Sequence, residues 1–77
     1  MPAVILRRID PAKNMARFYA IDIQPTLFGD WAVIRRWGRI GTHGRTAETW
    51  FAGQDPAVSC ADDHETAKRR RGYREAG

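Results

Sequence analysis

The connections between the extended segments of this chain are short, and this feature constrains the fold more than any other. Four segments rich in β-branched and aromatic residues are predicted to be strands: residues 4–9, 17–24, 31–40 and 45–51. Turn-forming residues separate them, namely Asp10-Pro11 after the first, Gly29 before the third, and Gly41 and Gly44 before the fourth. Because connections of this length cannot hold crossover helices, neighbouring strands must pair antiparallel.

A helix is predicted to follow the fourth strand. Asp55-Pro56 has the form of an N-cap and a proline at the first helical position, and Gly72 can end the helix. Acidic residues precede basic residues between these positions, which is the order that the helix dipole favours. The apolar residues of the segment are Ala57, Val58, Cys60, Ala61 and Ala67. Because these side chains are small, the helix is expected to pack only shallowly.

The expected fold class is therefore α+β: a small antiparallel sheet of about four strands with one C-terminal helix packed on it. Alternation along the second strand places Tyr19, Ile21 and Ile23 on one face, which is the predicted core face. A chain of 77 residues has room for one modest core, so residues 1–77 are expected to form a single domain.

Composition favours a globular protein of the cytoplasm. Apolar residues make up 43% of the chain and charged residues 29%, which are ordinary proportions for a folded domain. The single cysteine, Cys60, cannot form an intrachain disulfide, so a reducing compartment is expected. The apolar run at residues 3–6 precedes its arginines, and no segment approaches the roughly 20 apolar residues of a membrane span. Neither a signal peptide nor a membrane segment is expected.

The charge balance favours an anionic partner. There are 13 lysines and arginines against 9 acidic residues, a net charge of +4, and 11 of the 13 cations are arginine. Arginine forks onto phosphate and stacks on flat rings better than lysine does. Arginine content also follows genome base composition, so the charge alone does not separate a functional origin from a compositional one.

One strand face carries the residues that point to a ligand. Trp37 has Arg35 two residues before it and Arg39 two residues after it, so all three side chains project from the same face. An aromatic ring between guanidiniums can stack on a sugar or base while the arginines hold phosphates. Gly38 faces the other way and lets another element approach its backbone. The alternative is a core tryptophan whose arginines extend to solvent.

These residues resemble those of the WGR domain family, named for the Trp-Gly-Arg found at residues 37–39. The resemblance continues through Ile40 to Thr42 and Gly44, and includes Asn14 ahead of an aromatic pair and the basic-Gly-Tyr run at residues 68–73. In length the chain is similar to small stand-alone bacterial members. It departs from the family at Arg45, where a Gln or similar polar residue is common, and in a helix with little leucine.

The resemblance implies a non-catalytic module that binds DNA. In poly(ADP-ribose) polymerases that detect DNA breaks, the motif tryptophan packs on the terminal nucleotide, and the motif arginine contacts DNA and neighbouring domains. By resemblance these roles fall on Trp37 and Arg39. The expected ligands are DNA ends, nicks or unpaired nucleotides, and the alternative is a protein-interaction adaptor that uses the same face.

The predicted nucleic-acid contacts are Trp37, Gly38, Arg39, Arg35, Arg45, Lys13 and Asn14. No catalytic residue, cofactor or metal is predicted. Cys60 and His64 have the i, i+4 spacing of two helical metal ligands, but the sequence supplies no second close pair and no third group to orient a nucleophile. A DNA partner is expected, a protein partner is the alternative, and a membrane partner is not expected.

Overall fold

Short turns connect successive strands of the chain before it enters a long helix. The computed structural model describes residues 4–75. Its elements are β1 (Val4–Asp10), a turn of 3-10 helix (Pro11–Lys13), β2 (Met15–Pro25), β3 (Trp31–Arg39), β4 (Arg45–Phe51), α1 (Gln54–Arg70) and β5 (Arg74–Glu75). All neighbouring strands pair antiparallel, in the order β4-β3-β2-β1-β5. The predicted α+β class and its meander are confirmed.

A fifth strand adds to the four that the sequence predicts. Strand β5 has two residues and pairs with β1 through Leu6 opposite Glu75 and Arg7 opposite Arg74. Two residues show no alternation, so the sequence pattern carries no signal for such a strand. The turn that ends α1 directs the chain back to the β1 edge.

The start of α1 differs from the prediction. Gly53, not Asp55, is the N-cap, with φ −133° and ψ 159°, and no side chain caps this end. The predicted N-cap at Asp55 is wrong because Gly53 provides the extended residue before the helix. Asp55 instead lies in the first turn, where its charge complements the helix dipole. Pro56 fits the same turn because backbone N–H groups there lack intrahelical acceptors.

The end of α1 is the glycine cap that the sequence predicts. Gly72 has φ +95°, and its N–H donates to the Arg69 carbonyl at 3.0 Å. The Tyr73 N–H donates to the Lys68 carbonyl at 3.1 Å, which completes a Schellman motif. The reversal carries the Tyr73 ring into the core.

The core lies between α1 and one face of the sheet. Tyr19, Ile21 and Ile23 are buried there, so the predicted core face of β2 is confirmed. The full core cluster consists of Leu6, Tyr19, Ile21, Ile23, Val33, Ala57, Ala61 and Tyr73. The helix contributes two buried alanines, as its small side chains predict, and Ala67 is exposed.

The opposite face of the sheet has no helix packed on it within residues 4–75. We call this surface the open face; strand alternation assigns to it Ile5, Arg7, Phe18, Ala20, Asp22, Ile34, Arg36, Glu48 and Trp50. Phe18 is nonetheless buried, because the Arg36 guanidinium lies 5.3 Å from its ring centre and the turn at Gly44 packs beside it. None of the helices described in residues 4–75 is both long and apolar enough to cross a membrane.

Candidate nucleic-acid interface

The glycine of the Trp-Gly-Arg triplet has a packing role. A Cβ added to Gly38 would lie 2.8 Å from the Gly44 Cα, closer than real Cβ atoms approach a backbone atom. Gly44 has φ +77° and packs against the Trp37 carbonyl. The turn between β3 and β4 therefore folds back on the strand, which confirms the predicted close approach at Gly38. Thr42 holds the same turn, because its hydroxyl donates to the Arg39 carbonyl at 2.7 Å.

Trp37 lies at the edge of the core, half-buried. Its ring stacks on Tyr19 with a centroid separation of 6.2 Å and an interplanar angle of 25°. The Arg35 guanidinium carbon lies 5.5 Å from the Trp37 ring centre, and its Nη1 donates to the Tyr19 hydroxyl at 3.4 Å. The Trp37 side chain therefore has features of both interpretations: part of its surface joins the core, and part remains accessible.

Arg35 is the most enclosed of the predicted contact residues that carry a positive charge. Its Nε is buried and has no hydrogen-bond partner among residues 4–75, and its guanidinium spans Tyr19 and Trp37. Arg45 is exposed and lies directly opposite Trp37 in the β3–β4 register. Arg35, Trp37 and Arg45 thus share the helix-bearing face of the sheet.

The other four predicted residues meet at the adjoining end of the sheet. A cavity of about 340 Å³ is lined by Lys13, Asn14, Met15, Ala16, Arg17, Gly38 and Arg39. Asn14 adopts the left-handed conformation, with φ 50°, and its N–H closes the 3-10 turn on the Pro11 carbonyl at 3.1 Å. The Ile40 N–H donates to the Ala16 carbonyl at 2.9 Å and joins the two strand ends. Asn14 therefore has a conformational role in addition to its predicted contact role.

Three arginines form a row across the sheet that the sequence analysis did not find. Arg17 lies opposite Arg8 on β1 and opposite Arg39 on β3. We call these three residues the arginine row; like charges directly opposite each other destabilise a sheet. The register of the β1–β2 hairpin could have predicted this row. Once the 3-10 turn sets that register, Arg8 and Arg17 must lie opposite each other.

Comparison with known proteins identifies the family to which this arrangement belongs. The family model described as WGR domain matches residues 3–77. The chain belongs to the WGR domain family. It is 48% identical over 69 residues to the uncharacterized protein y4dW of Sinorhizobium fredii (strain NBRC 101917 / NGR234). The match covers 90% of this chain and 34% of that relative, so the chain spans about a third of the relative's length.

A lysine of the helix completes the positive surface of this WGR domain. The Lys68 ammonium lies 4.8 Å from the Tyr19 ring centre and 5.4 Å from that of Tyr73. Partial burial lowers the pKa of Lys68, and the charges of Arg71, Arg17 and Arg35 lower it further. The amine thus lies in a field of like charges.

His64 experiences the same field. Partial burial lowers its pKa first, and the charge of Arg35 then lowers it more, with Asp63 acting in the opposite direction and Lys68 in the same one. Both ion pairs described in residues 4–75 use Arg69, with Glu65 and Glu75. Within the described residues, the end of the domain that carries the triplet therefore has no ion pair that neutralises it. We call this surface the basic end; it comprises Arg8, Lys13, Arg17, Arg35, Arg39, Arg45 and Lys68.

Cys60 and His64 do not gain the partners that a metal site needs within the described part of the chain. No group of three or more His, Cys, Asp or Glu side chains there could hold a metal ion. Cys60 is partly buried against the core. Cys60 and His64 therefore have the spacing of two helical ligands but no further ligand within residues 4–75.

Proposed function

We propose that this WGR domain is a non-catalytic module that binds DNA through its basic end. In this proposal a terminal or unpaired nucleotide contacts the exposed part of Trp37, and the surrounding cations hold phosphates. The observation that carries the proposal is the arginine row, in which three like charges stand side by side without an acidic partner in residues 4–75.

The arginine row costs stability in the free protein, and a polyanion offsets this cost. Like charges opposite each other in a sheet repel. Nearby, partial burial lowers the pKa of Lys68, and the charges of Arg71, Arg17 and Arg35 lower it further. Adjacent strands lie about 4.8 Å apart, so the row spans about 10 Å, which is enough for two neighbouring phosphates of one strand. A chain of phosphates neutralises several of these charges at once and releases its own counterions.

The environment of Trp37 favours a nucleotide that is not stacked inside a duplex. One part of the indole packs on Tyr19 and the core, which favours a fixed orientation of the ring. An intact duplex keeps its bases stacked, whereas an end, a nick or a single strand presents a sugar or base that can meet a fixed aromatic ring. The cavity beside Lys13 and Asn14 lies within the same end and adds donors for a phosphate.

Titration of labelled DNA tests the proposal. Nicked, blunt-ended, single-stranded and closed circular DNA are compared at several salt concentrations, and affinity is expected to fall as salt rises. Stronger binding to nicked than to closed circular DNA is expected. Equal affinity for these two forms would exclude recognition of breaks, and absence of binding at low salt would exclude DNA as the ligand.

The alternative, a protein-interaction adaptor that uses the same face, is separated by the Trp37→Ala variant. The DNA proposal expects this variant to lose the preference for nicked over closed circular DNA. Unchanged DNA affinity together with loss of a protein partner would favour the adaptor.

A further inference from the structure

The open face keeps large apolar side chains in water. Leu27 is 99% exposed, Phe28 80% and Trp50 49%, and all three lie where the β2–β3 turn meets the end of β4. The Phe28 and Trp50 rings are 6.3 Å apart between centroids, so the group forms one surface. We call Leu27, Phe28 and Trp50 the apolar tip. Contiguous exposed apolar surface of this kind marks an interaction site.

The charges of the open face are separated along the strands. In the register Ile34 lies opposite Asp22 on one side and Glu48 on the other. Arg36 lies two residues further along β3, on the same face and nearer the basic end. The two described ion pairs include none of these residues, so their charges are not neutralised within residues 4–75. Their partners there are uncharged: Asp22 and Glu48 accept hydrogen bonds from Gln24 and Trp50, and Arg36 covers the Phe18 ring.

The shape of the open face is also uneven. A depression of about 230 Å³ lies at the end away from the apolar tip, with Phe18, Ile40, Gly41 and Thr42 among its lining residues. At the other end of the same face, the apolar tip lines a second depression of about 290 Å³. The surface thus carries a positive charge toward one end, and negative charges with exposed apolar side chains toward the other.

We propose that two copies of this chain pair through their open faces about a two-fold axis that runs across the strands. This operation reverses the strand direction, so Arg36 of each copy lies over Asp22 and Glu48 of the other. The same operation brings each apolar tip toward the depression of the other copy. A face whose charges match their own reversed image suits an isologous contact, in which each contact occurs twice.

The size of the face sets the strength of the pairing. Four strands about 4.8 Å apart and about 25 Å long give a footprint on the order of 500 Å² per copy. Stable complexes bury about 800 Å² per partner, so the dimer is expected to dissociate on dilution, with a Kd in the micromolar range or weaker. Both basic ends remain uncovered in this dimer and point in opposite directions.

The pairing is tested without DNA, by sedimentation equilibrium of the full chain from about 1 μM to about 1 mM. The average mass is expected to rise from monomer to dimer across this range. Two charge reversals, Arg36→Glu and Glu48→Arg, are each expected to weaken pairing at least about 10-fold, because each sets like charges against each other twice. An equimolar mixture of the two variants is expected to recover pairing in part, because both contacts between positions 36 and 48 then join opposite charges and only one contact between position 36 and Asp22 repels.

Phe28→Glu is a second variant that cannot disturb the core, because the side chain is exposed. It is also expected to weaken pairing at least about 10-fold. Circular dichroism melting confirms that each variant is folded. A chain that stays monomeric at the highest concentration would overturn the proposal. A dimer that neither Phe28→Glu nor the charge reversals weaken would also overturn it, as would folded reversal variants that fail to pair when mixed.

Discussion

The basic end and the apolar tip lie at opposite ends of the same strands, β2 and β3, and differ in how firmly their turns are held. At the basic end Gly44 packs on the Trp37 carbonyl, and the Ile40 N–H binds the Ala16 carbonyl. At the apolar tip the turn is closed mainly by local bonds of Thr26, and Leu27 and Phe28 project into water. A rigid backbone suits a site that must fix several charges, whereas a projecting apolar turn suits contact with another apolar surface.

The largest expected effect compares one glycine from each end. Gly44→Ala is expected to cost about 3 kcal/mol or more of unfolding free energy, because a positive φ and a backbone clash combine. Gly29→Ala, in the apolar tip's turn, is expected to cost about 1 kcal/mol, since φ is +86° but no atom lies within 4 Å of the added Cβ. Urea denaturation measures both. Equal costs would contradict the difference in packing between the two ends.

Charge reversal comes next. Arg17→Glu is expected to lower affinity for nicked DNA about 10- to 100-fold, because a phosphate contact becomes a repulsion. The matched control compares two neighbouring residues on opposite faces of β1. Arg8→Glu is expected to weaken DNA binding strongly. Arg7→Glu, with the same change in net charge, is expected to weaken it much less. Fluorescence anisotropy at low salt measures the affinities. Equal losses of DNA affinity for Arg8→Glu and Arg7→Glu would show that binding depends on net charge alone.

The same Arg17→Glu variant is expected to stabilise the free domain by about 0.5 kcal/mol, since it places an acid between Arg8 and Arg39. Thermal and urea denaturation measure this gain. A variant that is more stable yet binds DNA less well would show that the arginine row serves binding at the cost of stability. A loss of stability would mean that the row has a structural role.

The smallest expected effect concerns His64. Because its pKa is lowered in the folded domain, the unfolded chain takes up the proton first, so stability falls as pH drops below about 6.5 and is fully present above it. A phosphate near Arg35 should raise the pKa of His64 by reducing the field of that arginine. Titration of the imidazole by NMR with and without DNA measures the change. An unchanged pKa in a saturated complex would place the phosphates elsewhere.

Alternation and turn residues were sufficient to predict most of the fold. The four main strands, the core face of Tyr19 and the glycine end of α1 depend on local patterns, and each is confirmed. The N-cap at Gly53 and strand β5 were missed because glycine carries no capping side chain and a two-residue strand has no periodicity. Both features depend on the path that the sheet imposes on the chain. A local sequence pattern carries no information about that path.

The candidate site was predictable only in part for the same reason. Alternation gave the shared face of Arg35, Trp37 and Arg39, but it does not give depth, and the stacking of Trp37 on Tyr19 depends on pairing between strands. Arg8 and Arg17 were missed because their alignment depends on the register that the 3-10 turn sets. Composition fixed the excess of positive charge, and only the register showed where it accumulates.

The most direct test of the central claim, that the arginine row holds DNA phosphates, is the salt dependence of binding to nicked duplex for the wild type and Arg17→Gln. Each phosphate contact contributes about 0.9 to the slope of log affinity against log salt. Arg17→Gln is expected to reduce the slope by about this amount, and Phe28→Ser at the apolar tip is expected to leave it unchanged. A wild-type slope retained in Arg17→Gln would contradict the claim.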